Sequence, residues 1–408
     1  MPVRALNIVV DQRFKTSPDG GVWSHTPPTY DFFEAALASF DELRIIARCS
    51  AVAAQPDHAK LVNGPRVHVI PVPGYIGPLQ YLQRRADIAK TLAKIARMDG
   101  AFLLRIPSQV AFLLAELLEA QGRTYAVELL TDPHDFFAPG VSPSGLAYLF
   151  RPYFCRRSRE LCSRAITANY ITGSATRAAN PARAAKWVGS VSDVDLPPES
   201  FLTSGIAPPS RPLQIVTVGF LDLLYKGQDL LIRSLAHCGR IGLDFRLSIV
   251  GDGQSRQHLM NLARAQGVAD RVVITGALGG ATQVRSYLER SHLFVLPSRA
   301  EGIPRALLEA MAARLPAICS NVGAMPDLLD PQWIVPARSE AALSQKIMEF
   351  SRMPERWQAI GFRNQQAASS FERNQLWPKR KEFYEAIRNS SSEATSSLLR
   401  SSELFHAA

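Results

Sequence analysis

The stretch PSRAEGIPRALLEAMAARLPAICS, from Pro297 to Ser320, carries more information about this chain than any other segment. The apolar run HLFVLPS, from His292 to Ser298, leads into it, and the apolar run LPAICS, from Leu315 to Ser320, closes it. A helix-forming run lies between them, after Pro304. This succession of strand, loop, short helix and strand predicts the parallel crossover of an α/β sheet. Ligands of such sheets bind beyond the carboxyl ends of the strands, where Glu301 falls.

Two glutamates, Glu301 and Glu309, stand eight positions apart in this stretch. Pro304 suits the first position of the helix, so we expect the free N–H groups of the helix start to point toward a ligand on Glu301. Backbone amides suit phosphate groups, and carboxylates suit the hydroxyl groups of a sugar. The pattern therefore predicts a site for a nucleotide sugar.

The segment EGIPRALLEAMA resembles the E-x7-E signature of the retaining glycosyltransferases of family 4, also called group 1. TVGFLDLLYKGQDLLIRSL (Thr217 to Leu235) is similar to that family's first C-domain strand, its lysine-glycine turn and the next helix. LSIVGDGQSRQHL and VVITGAL resemble the two strand segments that follow. RIPS (Arg105 to Ser108) and YAVELLTDPHDFF (Tyr125 to Phe137) look like N-domain segments of members that build bacterial polysaccharides. The likeness covers most of the chain and is strongest over its C-terminal half.

The resemblance implies the GT-B fold, an α/β architecture in which two Rossmann-like, doubly wound domains face a central cleft. It implies a hexosyltransferase that works without metal or other cofactor and retains the anomeric configuration. The donor is then a UDP-, GDP- or ADP-sugar. The family's bacterial members imply synthesis of an exopolysaccharide or surface polysaccharide on a lipid-linked saccharide acceptor.

The resemblance also assigns roles to individual residues. Glu309 is expected to accept hydrogen bonds from the ribose hydroxyls, and Glu301 to hold hydroxyls of the transferred sugar. Lys226 is expected to neutralise the departing diphosphate. The donor is further expected to meet Gly302, Ile303 and Arg305 at the helix start. Many relatives place an arginine where this chain has Phe220, which leaves more of the phosphate charge to Lys226, with Arg305 as a compensating candidate.

The N-terminal half offers a second set of candidates with open alternatives. Asp132, in TDPHD, is our candidate for the polar group at the reaction centre, where many relatives have a histidine; Thr131 and His134 are alternatives, and so is an Asp-Pro turn that caps a helix. Gly20 and Gly21 fit either a loop over the donor or an ordinary tight turn.

Gly251 and Gly276 end successive strands of the C-terminal half and are expected to border the nucleotide base. Asp193 and Asp195 spell a DxD motif, which binds a divalent metal in the other glycosyltransferase architecture. Here the motif is followed by Leu-Pro-Pro at the predicted linker, so we do not expect a metal site.

The chain of 408 residues is long enough for two domains, each with a proper core. Strand-helix alternation in both halves predicts parallel, doubly wound sheets. We expect an acceptor domain over residues 1–195, a linker over 196–211, a nucleotide-sugar domain over 212–374, a helix crossing back to the first domain over 375–388, and a disordered serine-rich tail over 389–408.

The net charge of +10 predicts a partner with negative charge: a nucleotide diphosphate, an anionic membrane surface or a nucleic acid. Signatures of RNA-binding modules are missing from the sequence, which argues against a nucleic acid. Basic residues cluster on two predicted helices, and both membrane docking and a solvated face remain open for each. These are Arg84, Arg85, Lys90, Lys94 and Arg97 on the first, and Arg151, Arg156, Arg157, Arg159 and Arg164 on the second.

The N-terminus runs straight into a strand without the features of a signal peptide. We therefore expect a cytoplasmic location, with peripheral attachment to the inner face of the membrane as the alternative. Two further functions stay open: a catalytically idle GT-B protein that binds a nucleotide sugar, which Phe220 and the irregular TDPHD favour, and a sugar-nucleotide epimerase or phosphorylase.

Overall fold

The chain forms two parallel sheets with helices on their faces. The structure, a computed structural model, describes residues 3–57, 59–137, 141, 147–203 and 209–406. Residues 204–208 of the predicted linker and 407–408 of the predicted tail lie outside this part. None of the described helices combines the length and the apolar content that crossing a bilayer requires.

The N-terminal sheet is mainly parallel, in the order β5-β3-β1-β6-β7-β8-β9. Its strands are β1 (Ala5–Thr16), β2 (Val22–Ser24), β3 (Glu42–Ala51), β4 (Lys60–Leu61), β5 (Val67–Pro73), β6 (Ala101–Ile106), β7 (Ala126–Leu129), β8 (Thr167–Tyr170) and β9 (Trp187–Gly189). Its helices are α1 (Glu34–Leu37), α2 (Gly77–Ile95), α3 (Gln109–Glu119), α4 (Pro133–Phe136), α5 (Arg151–Arg164) and α6 (Ser174–Ala179). The short strands β2 and β4 add an antiparallel extension beside the end of β1.

The C-terminal sheet is parallel throughout, in the order β12-β11-β10-β13-β14-β15. Its strands are β10 (Leu213–Val218), β11 (Phe245–Val250), β12 (Val272–Ile274), β13 (Leu293–Leu296), β14 (Ala317–Ser320) and β15 (Ile334–Val335). The helices that follow these strands are α7 (Gln228–Arg240), α8 (Arg256–Ala265), α9 (Ala281–Glu289), α10 (Arg305–Ala312), α11 (Met325–Leu328), α12 (Glu340–Ser351) and α13 (Trp357–Ala368).

The predicted crossover is formed by β13, α10 and β14. The two strands pair in parallel, with Phe294 opposite Ala317. The face of α10 that packs against the sheet carries Leu307, Leu308 and Met311, which are buried. These residues share one face because they recur at helical spacing. Since α10 starts at Arg305, Pro304 is the residue before its first turn, one position earlier than predicted.

The last helix, α14 (Arg373–His406), leaves the C-terminal domain and packs on the N-terminal one. Phe383, Tyr384 and Ile387 are buried in the core cluster of the first sheet. The indole N–H of Trp187, on β9, donates to the Glu382 carboxylate over 3.0 Å. Apolar side chains at helical spacing therefore anchor α14 across the domain boundary.

The predicted disordered tail differs from the structure, because α14 continues well beyond residue 389. Ser390 and Ser391 are buried, and the Ser392 hydroxyl accepts a hydrogen bond from the Val3 N–H over 3.2 Å. Glu393 forms an ion pair with Lys186 at 2.6 Å. Serine side chains are small enough to let a helix approach a strand closely. The polar composition of the segment gives no sign of this packing.

Deleting the residues after Asn389 should lower the thermal midpoint of unfolding by roughly 2–4 °C, because the contacts of Ser392 and Glu393 together contribute about 1 kcal/mol. Differential scanning calorimetry measures the shift. Truncation after Ala394 is the matched control, since it keeps both contacts. Equal midpoints for the two truncated proteins would show that the serine segment adds no stability.

Candidate active site

Lys226 lies in a tight turn between β10 and α7. This 3₁₀ turn spans Leu224–Lys226 and is followed by Gly227, whose φ of 75° is left-handed. A side chain at Gly227 would place its Cβ 2.1 Å from the Pro297 carbonyl oxygen, and one at Gly219 would place its Cβ 2.3 Å from Cδ of Lys226. The two glycines therefore let the lysine stem cross the end of β10 and let its turn touch the end of β13.

Glu301, in the loop after β13, receives the Lys226 ammonium group. The Lys226 Nζ lies 2.9 Å from Oε1 of Glu301, and the Ser298 hydroxyl donates to the same oxygen over 2.8 Å. Both charged side chains are largely buried, with exposed fractions of 11% and 9%. Burial lowers the pKa of Lys226, but the charge and hydrogen bond of Glu301 together with those of Tyr225 outweigh burial, so this pKa lies above its ordinary value. The lysine is therefore a fixed cation at neutral pH.

Arg299 clamps the Lys226 turn to the Glu301 loop. Its guanidinium donates to the Leu224 carbonyl and lies 2.7 Å from the Asp229 carboxylate on α7, and its backbone N–H donates to the Tyr225 carbonyl over 2.6 Å. Asp229 and Arg299 are residues that the sequence analysis missed. An aspartate within the buried first turn of an amphipathic helix is the signal that points to them, because a buried carboxylate requires a partner.

Glu309 lies on the second turn of α10 with 27% of its side chain exposed. Its carboxylate has a long ion pair with Arg305, at 3.5 Å, and no side-chain hydrogen bond with a described residue. Burial raises the pKa of Glu309, and the charge of Arg305 offsets only part of this effect. The carboxylate therefore lies in a recess, where its oxygens can accept further hydrogen bonds.

The start of α10 adds unpaired backbone donors to the site. Pro304, the residue before the helix, provides no side-chain cap. The Leu307 N–H donates to the Pro304 carbonyl over 3.0 Å, whereas the N–H groups of Arg305 and Ala306 have no partner among the described residues and remain available to an anion. Arg305 is directed along the helix toward Glu309 and also donates to the Asp195 carbonyl over 3.1 Å. These contacts place its charge beside the linker rather than beside Lys226.

The N-terminal domain contacts the site through the loop after β7. The Thr131 hydroxyl donates to the Glu301 carbonyl over 3.3 Å. A Cβ at Gly302 would lie 2.4 Å from the Leu130 carbonyl oxygen, so only glycine permits this approach of the two domains. Thr131, which the sequence left as an alternative, is therefore the N-domain side chain that reaches the Glu301 loop.

Asp132 performs the capping role that the sequence analysis left open. Its Oδ1 accepts a hydrogen bond from the His134 N–H over 2.8 Å at the start of α4, and its Oδ2 accepts one from the Thr176 hydroxyl over 3.0 Å. Both carboxylate oxygens thus have structural partners. The His134 ring is exposed and contacts Asp135.

Gly20 and Gly21 lie in the hairpin turn between β1 and β2. Gly20 has a left-handed φ of 84°, and its carbonyl accepts a hydrogen bond from the Asn63 side chain over 3.1 Å. The Gly21 N–H donates to the Asp19 carboxylate over 3.1 Å. These contacts match the tight-turn alternative, with the glycines serving the hairpin.

Gly251 and Gly276 are brought together beside the Lys226 turn. They pair with each other in an isolated bridge at the ends of β11 and β12. A Cβ at Gly251 would lie 2.0 Å from the Gly219 carbonyl oxygen, so this glycine packs directly on the segment that Lys226 crosses. The two glycines therefore lie just beyond the carboxyl ends of their strands, on the side of the sheet that the Lys226 turn occupies.

The aspartates of the DxD motif are occupied by arginines. Asp193 pairs with the buried Arg105 at 2.5 Å, and Asp195 pairs with Arg373 of α14 at 2.6 Å. Arg105 also pairs with Glu128 at 2.6 Å. The motif therefore takes part in ion pairs at the domain junction.

A comparison with known protein families finds a match in the C-terminal half of the chain. Residues 212–352 match the family described as glycosyl transferases, group 1. The resemblance to group 1 glycosyltransferases is confirmed. Protein CapJ of Staphylococcus aureus is 23% identical over 315 residues, which cover 76% of this chain and 78% of CapJ. WcaL of Salmonella typhimurium, a putative colanic acid biosynthesis glycosyltransferase, is 28% identical over 41% of this chain and 46% of its own length.

Solved structures match nearly the whole chain. Sucrose-phosphate synthase from Thermosynechococcus elongatus superposes with a TM-score of 0.67 at 16% identity and covers 99% of this chain and 100% of its own. HepE from Anabaena, solved with UDP and glucose, gives a TM-score of 0.58 at 16% identity. The match covers 97% of this chain and 100% of HepE. The predicted GT-B fold is confirmed.

Replacing Lys226 with methionine should lower the free energy of unfolding by about 3 kcal/mol, because Glu301 would remain buried without its counter-charge. Combining Lys226→Met with Glu301→Gln should restore at least half of this loss. Urea denaturation of the two single variants and the double variant measures the coupling between the side chains. Additive effects of the two substitutions would contradict a buried ion pair.

Replacing Glu309 with glutamine should stabilise the unliganded protein at neutral pH by about 0.5–1 kcal/mol, since it removes a poorly paired buried charge. Because the folded-state pKa of Glu309 is raised, its ionised form costs stability only above the ordinary carboxyl value of 4.5. The gain should therefore shrink as the pH falls through the raised pKa toward that value. Thermal unfolding at a series of pH values tests this, with Glu355→Gln at an exposed position as the control.

Proposed function

We propose that this protein is a retaining glycosyltransferase that moves a hexosyl group from a nucleotide-diphosphate sugar to an acceptor hydroxyl. The contact between Lys226 and Glu301 carries the proposal. It joins a cation and a carboxylate from the carboxyl ends of two neighbouring parallel strands, where α/β sheets bind their ligands. Glu309 and the start of α10 lie in the same crossover.

The donor has a place for each of its parts. Glu309, whose carboxylate has only a long ion pair among the described residues, would accept hydrogen bonds from the ribose hydroxyls. The first N–H groups of α10 would face the diphosphate, and Lys226 would exchange part of its contact with Glu301 for the phosphate oxygens. The relative HepE was solved with UDP and glucose, which supports a nucleotide-sugar donor for this chain.

Catalysis on this proposal is positional and electrostatic. Lys226 stays protonated at neutral pH and would neutralise the charge that grows on the diphosphate as the glycosidic bond breaks. The departing diphosphate would take the acceptor proton on the face that it leaves, so the new bond forms with retained configuration. Because the protein's own cation supplies the charge, we propose that the transfer is independent of metal.

The acceptor is proposed to be a lipid-linked saccharide in bacterial polysaccharide biosynthesis, at the inner face of the cytoplasmic membrane. The relative WcaL, a putative colanic acid biosynthesis glycosyltransferase, supports the polysaccharide pathway. The acceptor would approach from the N-terminal domain, where Thr131 meets the Glu301 loop.

Saturating UDP, GDP or ADP should raise the thermal midpoint of the wild-type protein, because a ligand at one hundred times its Kd stabilises the native state by about 2.7 kcal/mol. The preferred base is the one with the largest shift. Glu309→Gln should lose most of that shift, whereas Glu355→Gln should keep it. If neither UDP, GDP nor ADP shifts the thermal midpoint of the wild type, the proposed donor site is wrong.

Transfer from the preferred nucleotide sugar should persist in EDTA and yield a product with the donor's anomeric configuration, measured by NMR. Lys226→Met should lower kcat by about 100-fold or more, since it removes charge stabilisation in the transition state. Nucleotide binding without turnover of any sugar donor would instead identify the idle binding protein.

A further inference from the structure

The first two turns of α2 present apolar side chains to solvent. Ile76, Leu79 and Leu82 are 64%, 75% and 61% exposed, and we call these three residues the apolar tip. The buried side chains of α2 begin only at Ile88. Single exposed apolar residues are common on protein surfaces, but three within seven residues at the start of one helix form a patch that suits a partner.

A basic stripe continues the apolar tip along the outer face of α2. Leu79, Leu82, Ala86, Lys90 and Lys94 recur every three or four residues, so they share one face, and all are exposed. Neither lysine has an ion pair or a side-chain hydrogen bond with a residue that the structure describes. The face is therefore apolar at its start and carries free positive charge behind it.

The second basic helix, α5, differs in this respect. Arg157 pairs with Glu116 at 2.8 Å, and Arg164 pairs with Glu119 at 2.7 Å, both on α3. These two arginines bind the helix to α3, Arg156 pairs with Glu160 of the same helix at 3.4 Å, and Arg159 donates to the Ala179 carbonyl over 2.9 Å. This contrast selects α2 as the helix whose charge is available to a partner.

The apolar tip begins beside the cleft. Tyr75, the residue before it, packs under the Arg48 guanidinium, 4.7 Å from the ring centre. Arg48 pairs with Asp11 at 3.2 Å, and the Ser108 hydroxyl donates to the same carboxylate over 3.1 Å. Ser108 follows the carboxyl end of β6, and Leu130, which meets Gly302, follows the adjacent strand β7. The contact with Ser108 therefore places Asp11 and Arg48 toward the same edge of the sheet.

We propose that α2 docks this protein on an anionic lipid bilayer, with the apolar tip in the boundary between headgroups and acyl chains and Lys90 and Lys94 at the lipid phosphates. A short apolar surface and a few basic residues each bind membranes weakly, and together they give stable attachment. The inference deepens the proposed function, on which it rests for the acceptor, because it names the surface that brings the cleft to a lipid-linked saccharide.

Sedimentation with vesicles tests the proposal on the full chain. The wild type should bind vesicles of mixed phosphatidylcholine and phosphatidylglycerol and should release them as the salt concentration rises, since screening weakens the lysine contacts. The double variant Leu79→Glu and Leu82→Glu should bind at least about tenfold more weakly, because two apolar side chains are lost from the bilayer boundary. Lys90→Gln with Lys94→Gln should remove the preference for the anionic lipid.

Ile241→Glu is the matched control, because Ile241 is 55% exposed at the end of α7 in the other domain. It should bind vesicles like the wild type. Three results would overturn the proposal: a wild type that ignores anionic vesicles, a tip variant that binds them undiminished, or a lipid-free dimer that the tip variant abolishes. The nucleotide-induced thermal shift of the tip variant should equal that of the wild type, so a failed donor site is told apart from a failed membrane surface.

Discussion

The ion pair between Lys226 and Glu301 joins two loops that leave neighbouring strands of the C-terminal sheet. Each charge lies in a place where water has little access, so neither is tolerable without the other or a ligand in its place. Ser298 supplies a further hydrogen bond to Glu301, and Arg299 holds the lysine turn from the opposite loop. The arrangement of this end of the sheet follows from the need to keep the two charges together.

Close backbone approach is the second constraint, and glycine provides it. Gly219 makes room for the lysine stem, Gly227 for the end of β13, and Gly302 for the loop after β7 of the other domain. A side chain at any of these positions would push apart the groups that form the recess. The cation, the carboxylate and the N-terminal domain can meet only because three positions lack a Cβ.

Much of the fold and part of the site were predictable from local patterns. The crossover of β13, α10 and β14 follows from apolar runs around a helix-forming segment, and Gly251 and Gly276 follow from their places after successive strands. Asp132 and Gly20 are different, because a cap or a turn and a ligand contact use the same residue types. The contacts with Thr176 and Asn63, which separate these alternatives, come from segments distant in the chain.

Local periodicity and short motifs were enough to predict the two parallel sheets, the acidic pair Glu301 and Glu309, and the lysine turn. Packing alone establishes that Arg299 and Asp229 clamp that turn and that serines near the C-terminus are buried. It also shows that Arg157 and Arg164 of α5 are paired, while Lys90 and Lys94 of α2 have no ion pair with a described residue. The physical reason is that a charge or a small polar side chain has no preferred partner until packing brings one within reach.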